Sequence, residues 1–160
     1  MEYSIVIPIY KRNEIFEKCL LSIKQQTCLP KEVIVVDNNQ DKNESNKLRK
    51  IINNFDEKVN FKIMIIKSFK NSSSIARNIG ATKCNTDLVA FLDSDVVLFK
   101  DYYEIILNFF EMHSDLIAIQ GLDINLIFNY KNFGSLPLAQ KALHYFEQIF
   151  ETSSLFNRKE

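Results

Sequence analysis

At 160 residues with 46% hydrophobic content, the chain can bury one sizeable core and is short for two ordinary domains. Lysine plus arginine number 20 and aspartate plus glutamate also 20, so no net field recruits nucleic acid or an anionic membrane. The three cysteines, Cys19, Cys28 and Cys84, form no CxxC or Cys/His cluster, and their odd number points to free thiols in a reducing compartment.

The first apolar run, Tyr3 to Ile9, reads as a buried strand. Pro8 interrupts it, and Lys11 and Arg12 follow at once, which is the wrong order for a secretory leader. No stretch reaches the roughly 20 apolar residues that span a bilayer, so the expected location is cytoplasmic, free or peripheral at the inner face of a membrane. Ile15, Cys19, Leu20 and Ile23 then recur at helical spacing, and Glu32 to Val36 reads as a second strand. Leu48, Ile51, Ile52 and Phe55 mark a second helix, followed by a strand at Phe61 to Ile66. A third helix is expected from about Ser73, as its N-cap, to Thr82. Leu88 to Leu92 reads as a strand, Asp101 to Met112 as a helix and Leu116 to Ile119 as a fifth strand. Residues 122–134 read as a loop, and Pro137 opens a last helix bearing Leu138, Ala142, Tyr145, Phe146, Ile149 and Phe150.

Strands alternating with helices imply an α/β fold with a mainly parallel sheet covered on both faces, in one domain over 1–160. Ligands of such sheets gather at the carboxyl ends of the strands. The polar residues directly after the apolar runs are therefore the candidates: Lys11 to Asn13, Asp37 to Asp41, and Asp93 with Asp95.

Asp93-Ser94-Asp95 ends an apolar strand. If the backbone stays extended, a period of two puts both acids on one side. Their oxygens suit a hard cation such as Mg²⁺ or Mn²⁺ that takes further ligands from a diphosphate. An isolated Asp-x-Asp is equally at home in a solvated turn. Arg77 and Asn78 lie on the helix leading into this strand, where an arginine fork could meet phosphate oxygens and the amide could meet a ribose. An ordinary surface helix would also carry them. Asp37, running straight out of a strand, could accept from the N–H of a pyrimidine ring, although Asp, Asn and Gln also make ordinary turns.

Taken in order, these segments resemble family 2 glycosyltransferases. Ser4-Ile5-Val6-Ile7-Pro8-Ile9-Tyr10-Lys11-Arg12 is similar to the family's opening strand, and Ser22-Ile23-Lys24-Gln25-Gln26-Thr27 to the end of its first helix. Glu32 to Asp37, Ala76-Arg77-Asn78-Ile79-Gly80 and Leu92-Asp93-Ser94-Asp95 complete five matches in sequence over about residues 3–121. The resemblance implies a GT-A, Rossmann-like fold, with the nucleotide-sugar-binding part at about 1–121. It also implies base-side contacts from Pro8, Tyr10, Arg12 and Asp37, and donor contacts from Arg77 and Asn78. Asp93 is implied as the ribose- or metal-side acid and Asp95 as the direct ligand of Mn²⁺ or Mg²⁺. The implied activity is inverting transfer of a hexosyl group from a nucleoside diphosphate sugar, by default UDP-linked, to a hydroxyl of a glycan, lipid or protein. Two departures stand out: the family often has Asn where Lys11 stands and Gly-Ser where Asn39-Gln40 stands.

The family's catalytic base, an Asp or Glu, is implied beyond a segment resembling Thr152 to Lys159, which places it past Glu160. Asp123, Glu147 and Glu151 are weak substitutes, and His113 and His144 read as structural. The expectation is donor binding with little or no transfer by this chain, and self-association through the apolar side of Leu136 to Phe150. A nucleotide-sugar-binding or interaction module without catalysis is the competing reading. A nucleotidyltransferase would need a glycine-rich phosphate loop, which Gly80, Gly121 and Gly134 do not form.

Overall fold

The structure, a computed structural model, describes residues 1–11, 13–56 and 59–121. Two compact units divide the chain at Phe109/Phe110. The elements run β1 (Tyr3–Ile9), α1 (Asn13–Lys24), β2 (Glu32–Asp37), α2 (Lys42–Asp56), β3 (Lys62–Lys67), α3 (Ser73–Ala81), β4 (Leu88–Phe91) and α4 (Tyr102–Met112). The four strands form a parallel sheet in the order β3-β2-β1-β4. Every residue of β1 and β2 is buried, which is why these central strands read as unbroken apolar runs.

Alternation along the strands sorts the core into two layers. Ile5, Ile7, Ile9, Val33 and Val35 face α1, α2 and α4 with Phe16, Leu20, Leu48 and Tyr103, while Val6, Ile34 and Val36 face α3 through Ala76. Each fully buried Ile or Leu of the first layer contributes roughly 1.5–3 kcal/mol. The split follows from chain direction. β1 to β3 step one way across the sheet, and the chain then returns past β1 to β4, so the right-handed crossover through α3 lies on the opposite face.

Two residues show how the sequence fits this path. Pro8 has no N–H to give, and Val6 O, two residues earlier on the same edge, accepts the last bond of the β4 side, from Leu92 N at 3.0 Å. The missing donor therefore falls where β1 has outrun β4. At Gly80, an added Cβ would lie 2.2 Å from Val6 Cγ1 and 3.2 Å from Val36 Cγ2, so the bare glycine lets α3 settle onto the sheet.

Several expectations are corrected. Leu116 to Ile119 forms no strand, because no described strand offers it a ladder partner. On α1 Phe16 is buried with Cys19, Leu20 and Ile23, whereas Ile15 is 46% exposed: the helix starts at Asn13 and turns residue 15 outward. The cap of α3 is Ser72, whose extended backbone leaves its hydroxyl free to accept from Ile75 N, so Ser73 is already helical. Residues 122–134 and the helix expected from Pro137 lie outside the described residues, as do Asp123, His144, Glu147 and Glu151. No described helix is long and apolar enough to cross a membrane.

Candidate functional site

The strand order reverses between β1 and β4, which opens a crevice at their carboxyl ends. β1 delivers Tyr10, 40% exposed, and Lys11, whose ammonium lies 5.2 Å from the Tyr10 ring centroid. Arg12 lies outside the described residues. Pro8 is buried in the strand.

β2 delivers Asp37, Asn38 and Asn39, all buried. Asp37 Oδ1 accepts from Asn39 N and Asn39 Nδ2, both at 2.9 Å, and Oδ2 accepts from Lys67 Nζ at 3.0 Å. Burial pushes its pKa up, but the Ser45 hydroxyl, the Asn39 amide and the Lys67 ammonium outweigh that and hold it below the ordinary value. Asp37 thus sits where the sequence placed it, with its carboxylate engaged by its own chain. Its neighbour is different. Asn38 N donates to Ile9 O at 2.9 Å and its Nδ2 to Ser72 O at 3.4 Å, while among the described residues its buried Oδ1 has no hydrogen-bond partner. A buried acceptor left unmet costs about 1–3 kcal/mol and calls for an explanation such as a ligand.

Lys67 closes this side, giving one hydrogen bond to Ser45 Oγ at 2.8 Å and another to the Asn39 carbonyl. Sequence reasoning passed over Lys67 and gave Asn38 only a supplementary part. The rule that polar residues closing each apolar run are functional points to Lys67 at the end of β3 as directly as to Asp37 at the end of β2. Asn38 was in the named stretch but overshadowed by the charged residue beside it.

On the other side of the crevice, α3 presents Arg77 while its inward positions, Ala76 and Gly80, meet the sheet. Arg77 Nη2 pairs with Asp93 Oδ1 at 2.5 Å, with the side chains 33% and 58% exposed. Pairs so accessible to water add only about 0–1 kcal/mol, so fold stability gives little reason for this one. Asn78 is exposed one position along. The acids do not lie on extended backbone as expected: β4 ends at Phe91, and Asp93 to Val96 form a turn closed by Val96 N to Asp93 O at 3.2 Å. Both acids are nevertheless exposed with Ser94 buried between them. The reason is the strand's early end, since β1 offers no further pairing beyond Leu92.

Behind the turn, Cys19 Sγ reaches Asp93 O at 3.8 Å, and burial, then the Asp93 charge, pushes its thiol up to about 12. Buried Gln26 anchors the chain after the turn: its Nε2 donates to Phe99 O at 2.6 Å and to Ser22 O at 3.0 Å, and its Oε1 accepts from Tyr103 N at 3.1 Å.

Among the described residues no group of three His, Cys, Asp or Glu side chains comes together as a metal cage. Two exposed carboxylates on one turn fit a different kind of site, in which Mg²⁺ or Mn²⁺ takes one or two protein oxygens and fills its shell with phosphate and water.

The sequence model of Glycosyl transferase family 2 matches residues 4–155. The chain belongs to glycosyl transferase family 2. Similar proteins include an uncharacterised glycosyltransferase of Haemophilus influenzae, 28% identical over 86% of this chain and 56% of that protein. The glycosyltransferase AglE of Haloferax volcanii is 30% identical over 82% of this chain and 41% of its own length. The chain therefore spans about half the length, or less, of these relatives. Among solved structures, S. aureus TarS 1–349 in complex with UDP superposes with a TM-score of 0.59 at 21% identity, over 86% of this chain and 38% of that one. Its complex with UDP-GlcNAc gives 0.59 at 24% identity, over 86% and 37%. These likenesses bear out the GT-A arrangement of the sheet.

Proposed function

We propose that this family 2 chain binds the donor of a hexosyl transfer, a UDP-linked sugar held with Mn²⁺ or Mg²⁺, for inverting transfer to an acceptor hydroxyl. The observation that carries the reading is that an exposed aromatic ring, an orphan buried acceptor and two exposed acids, one of them paired with an accessible arginine, all follow the carboxyl ends of strands of one parallel sheet. The UDP and UDP-GlcNAc complexes of S. aureus TarS, a protein of the same fold, support it.

The parts divide by chemistry. Tyr10 offers a face for the base and Asn38 Oδ1 an acceptor for a ring N–H, a task the engaged Asp37 leaves to its neighbour. Pro8 and Asp37 set the path of the two loops, and Arg12 belongs to the base side by resemblance. Arg77 meets diphosphate oxygens through its planar fork, Asn78 and Asp93 face the ribose side, and Asp95 with Asp93 would hold the cation. A bound cation supplies charge neutralisation at the leaving diphosphate. In the transfer, the acceptor oxygen bonds to the anomeric carbon opposite the leaving group. The bond from that carbon to the phosphate oxygen breaks, its electron pair leaves with UDP, and the acceptor proton goes to a carboxylate base. We assign that base to none of the described carboxylates.

The test is release of free UDP from UDP-GlcNAc and UDP-glucose, with water as acceptor, in Mn²⁺ and in chelator. Slow release that needs Mn²⁺ and falls about 10²-fold in Asp95→Asn is the expected result, the size typical of losing one charge-stabilising group. Release that ignores both the metal and Asp95 would contradict the assignment. Binding of UDP-sugar with no release would describe a donor-binding module instead.

A further inference from the structure

Among the described residues, Lys11 is the non-glycine residue with positive φ, at 57°. In this left-handed region the Cβ of an ordinary residue crowds the following carbonyl, and only Gly or, less easily, Asn enters it readily. A lysine held there needs something to hold it. Its backbone N–H donates to Asn39 Oδ1 at 2.8 Å. Asn39 is in turn fully buried and immobilised at every polar group. Its N and Nδ2 both bond Asp37 Oδ1 at 2.9 Å, and its carbonyl accepts from Lys67. With Nδ2 committed to Asp37, the amide can turn only Oδ1 towards Lys11. The buried acid thereby dictates which end of the asparagine meets the strained loop.

We propose that Asn39 is a positioning residue, a latch whose Oδ1 holds the Lys11 amide and so fixes the Tyr10–Lys11 loop in the shape that receives the donor's base. The inference rests on the donor-site reading. The residue that strains the first loop is answered by a side chain from the second. The latch touches no substrate, and its effect falls on donor affinity rather than on the reacting atoms.

The experiment combines two readouts on the unmodified chain, Asn39→Ala, Lys11→Asn and the double variant. Amide hydrogen exchange by NMR reports the Lys11 N–H without any ligand, and calorimetry with Mn²⁺ reports UDP binding. Asn39→Ala is expected to deprotect the Lys11 amide and weaken UDP by about tenfold, the equivalent of one charge-free hydrogen bond at the upper end of its range. Lys11→Asn, which tolerates the left-handed backbone, is expected to restore most of that affinity in the double variant. An amide equally protected without Asn39, or a double variant no better than Asn39→Ala, overturns the latch. Should Asn39→Ala fail to fold, a folded double variant supports the latch, and failure of both assigns Asn39 to the fold alone and overturns it. If the unmodified chain binds no UDP, the donor-site reading fails by itself, and the exchange data alone decide whether Asn39 holds Lys11.

Discussion

Asp37 keeps its charge in a fully buried position because Asn39, Ser45 and Lys67 surround it with donors. Its pKa in the folded chain lies below its unfolded value, so the native state binds fewer protons and gains stability above the ordinary carboxylate value of about 3.9. That gain is lost as pH falls below about 3.9 and through the lower folded value. Thermal unfolding followed from pH 6 to pH 2 is expected to show stability falling towards acid pH. Asp37→Asn should start lower and lose less over the same range. Cys19 offers an independent check, since a buried thiol raised to about 12 should resist an aqueous thiol reagent at pH 8 and react once the chain unfolds. At the crevice mouth, Arg77→Ala is expected to weaken UDP by about tenfold while leaving uridine unchanged, because only the former has a diphosphate for the charged fork. Equal loss for both, measured by calorimetry, would remove Arg77 from the phosphate side. At this scale the meeting of Arg77 with Asp93 was legible, because the helix that carries the arginine leads into the strand that ends at the acid. The sequence was less legible at Asp37 and Asn38, because which of two adjacent polar side chains turns inward to a partner depends on Lys67 and Ser45, which arrive from other elements.

The elements owe their places to contacts that recur at the ends of strands and helices. Gly80 is the clearest, since an alanine there would drive its Cβ into Val6 Cγ1 and Val36 Cγ2. The overpacking cost of about 1–3 kcal/mol exceeds the roughly 1 kcal/mol that alanine gains over glycine inside a helix. Gly80→Ala should therefore lower the midpoint of thermal unfolding, and an increase would show that α3 does not lie as close to the sheet as described. Gln26→Ala leaves the buried Tyr103 N without its side-chain partner, at about 1–3 kcal/mol. Urea unfolding measures that loss. Strands β1 to β4 and helices α3 and α4 were readable to within a residue or two from apolar period and punctuation, while for α1 and α2 the period marked the helix but not its ends. The turn at Asp93 to Val96 was not, because the end of β4 is set by where β1 ceases to pair, a long-range fact. The expected strand at Leu116 to Ile119 failed for the same reason: apolar residues permit a strand, and only a neighbour makes one.

Across the whole molecule, the order β3-β2-β1-β4 places a switch point beneath the Tyr10 loop and the Asp93–Asp95 turn, while α3 crosses the opposite face and brings Arg77 to the same opening. This convergence was anticipated from the alternation of strands and helices, since carboxyl ends of parallel strands must share one edge. On the proposed reading, base recognition, phosphate binding and cation binding are separate tasks of loops held by one sheet. The measurement that tests this most directly is calorimetric titration of UDP with and without Mn²⁺, repeated on Asp95→Ala. Binding that requires Mn²⁺ and disappears in the variant is the predicted result. Binding of UDP that is unchanged by Mn²⁺ and by Asp95→Ala, or no binding to the unmodified chain, would contradict a metal-assisted donor site at this edge of the sheet.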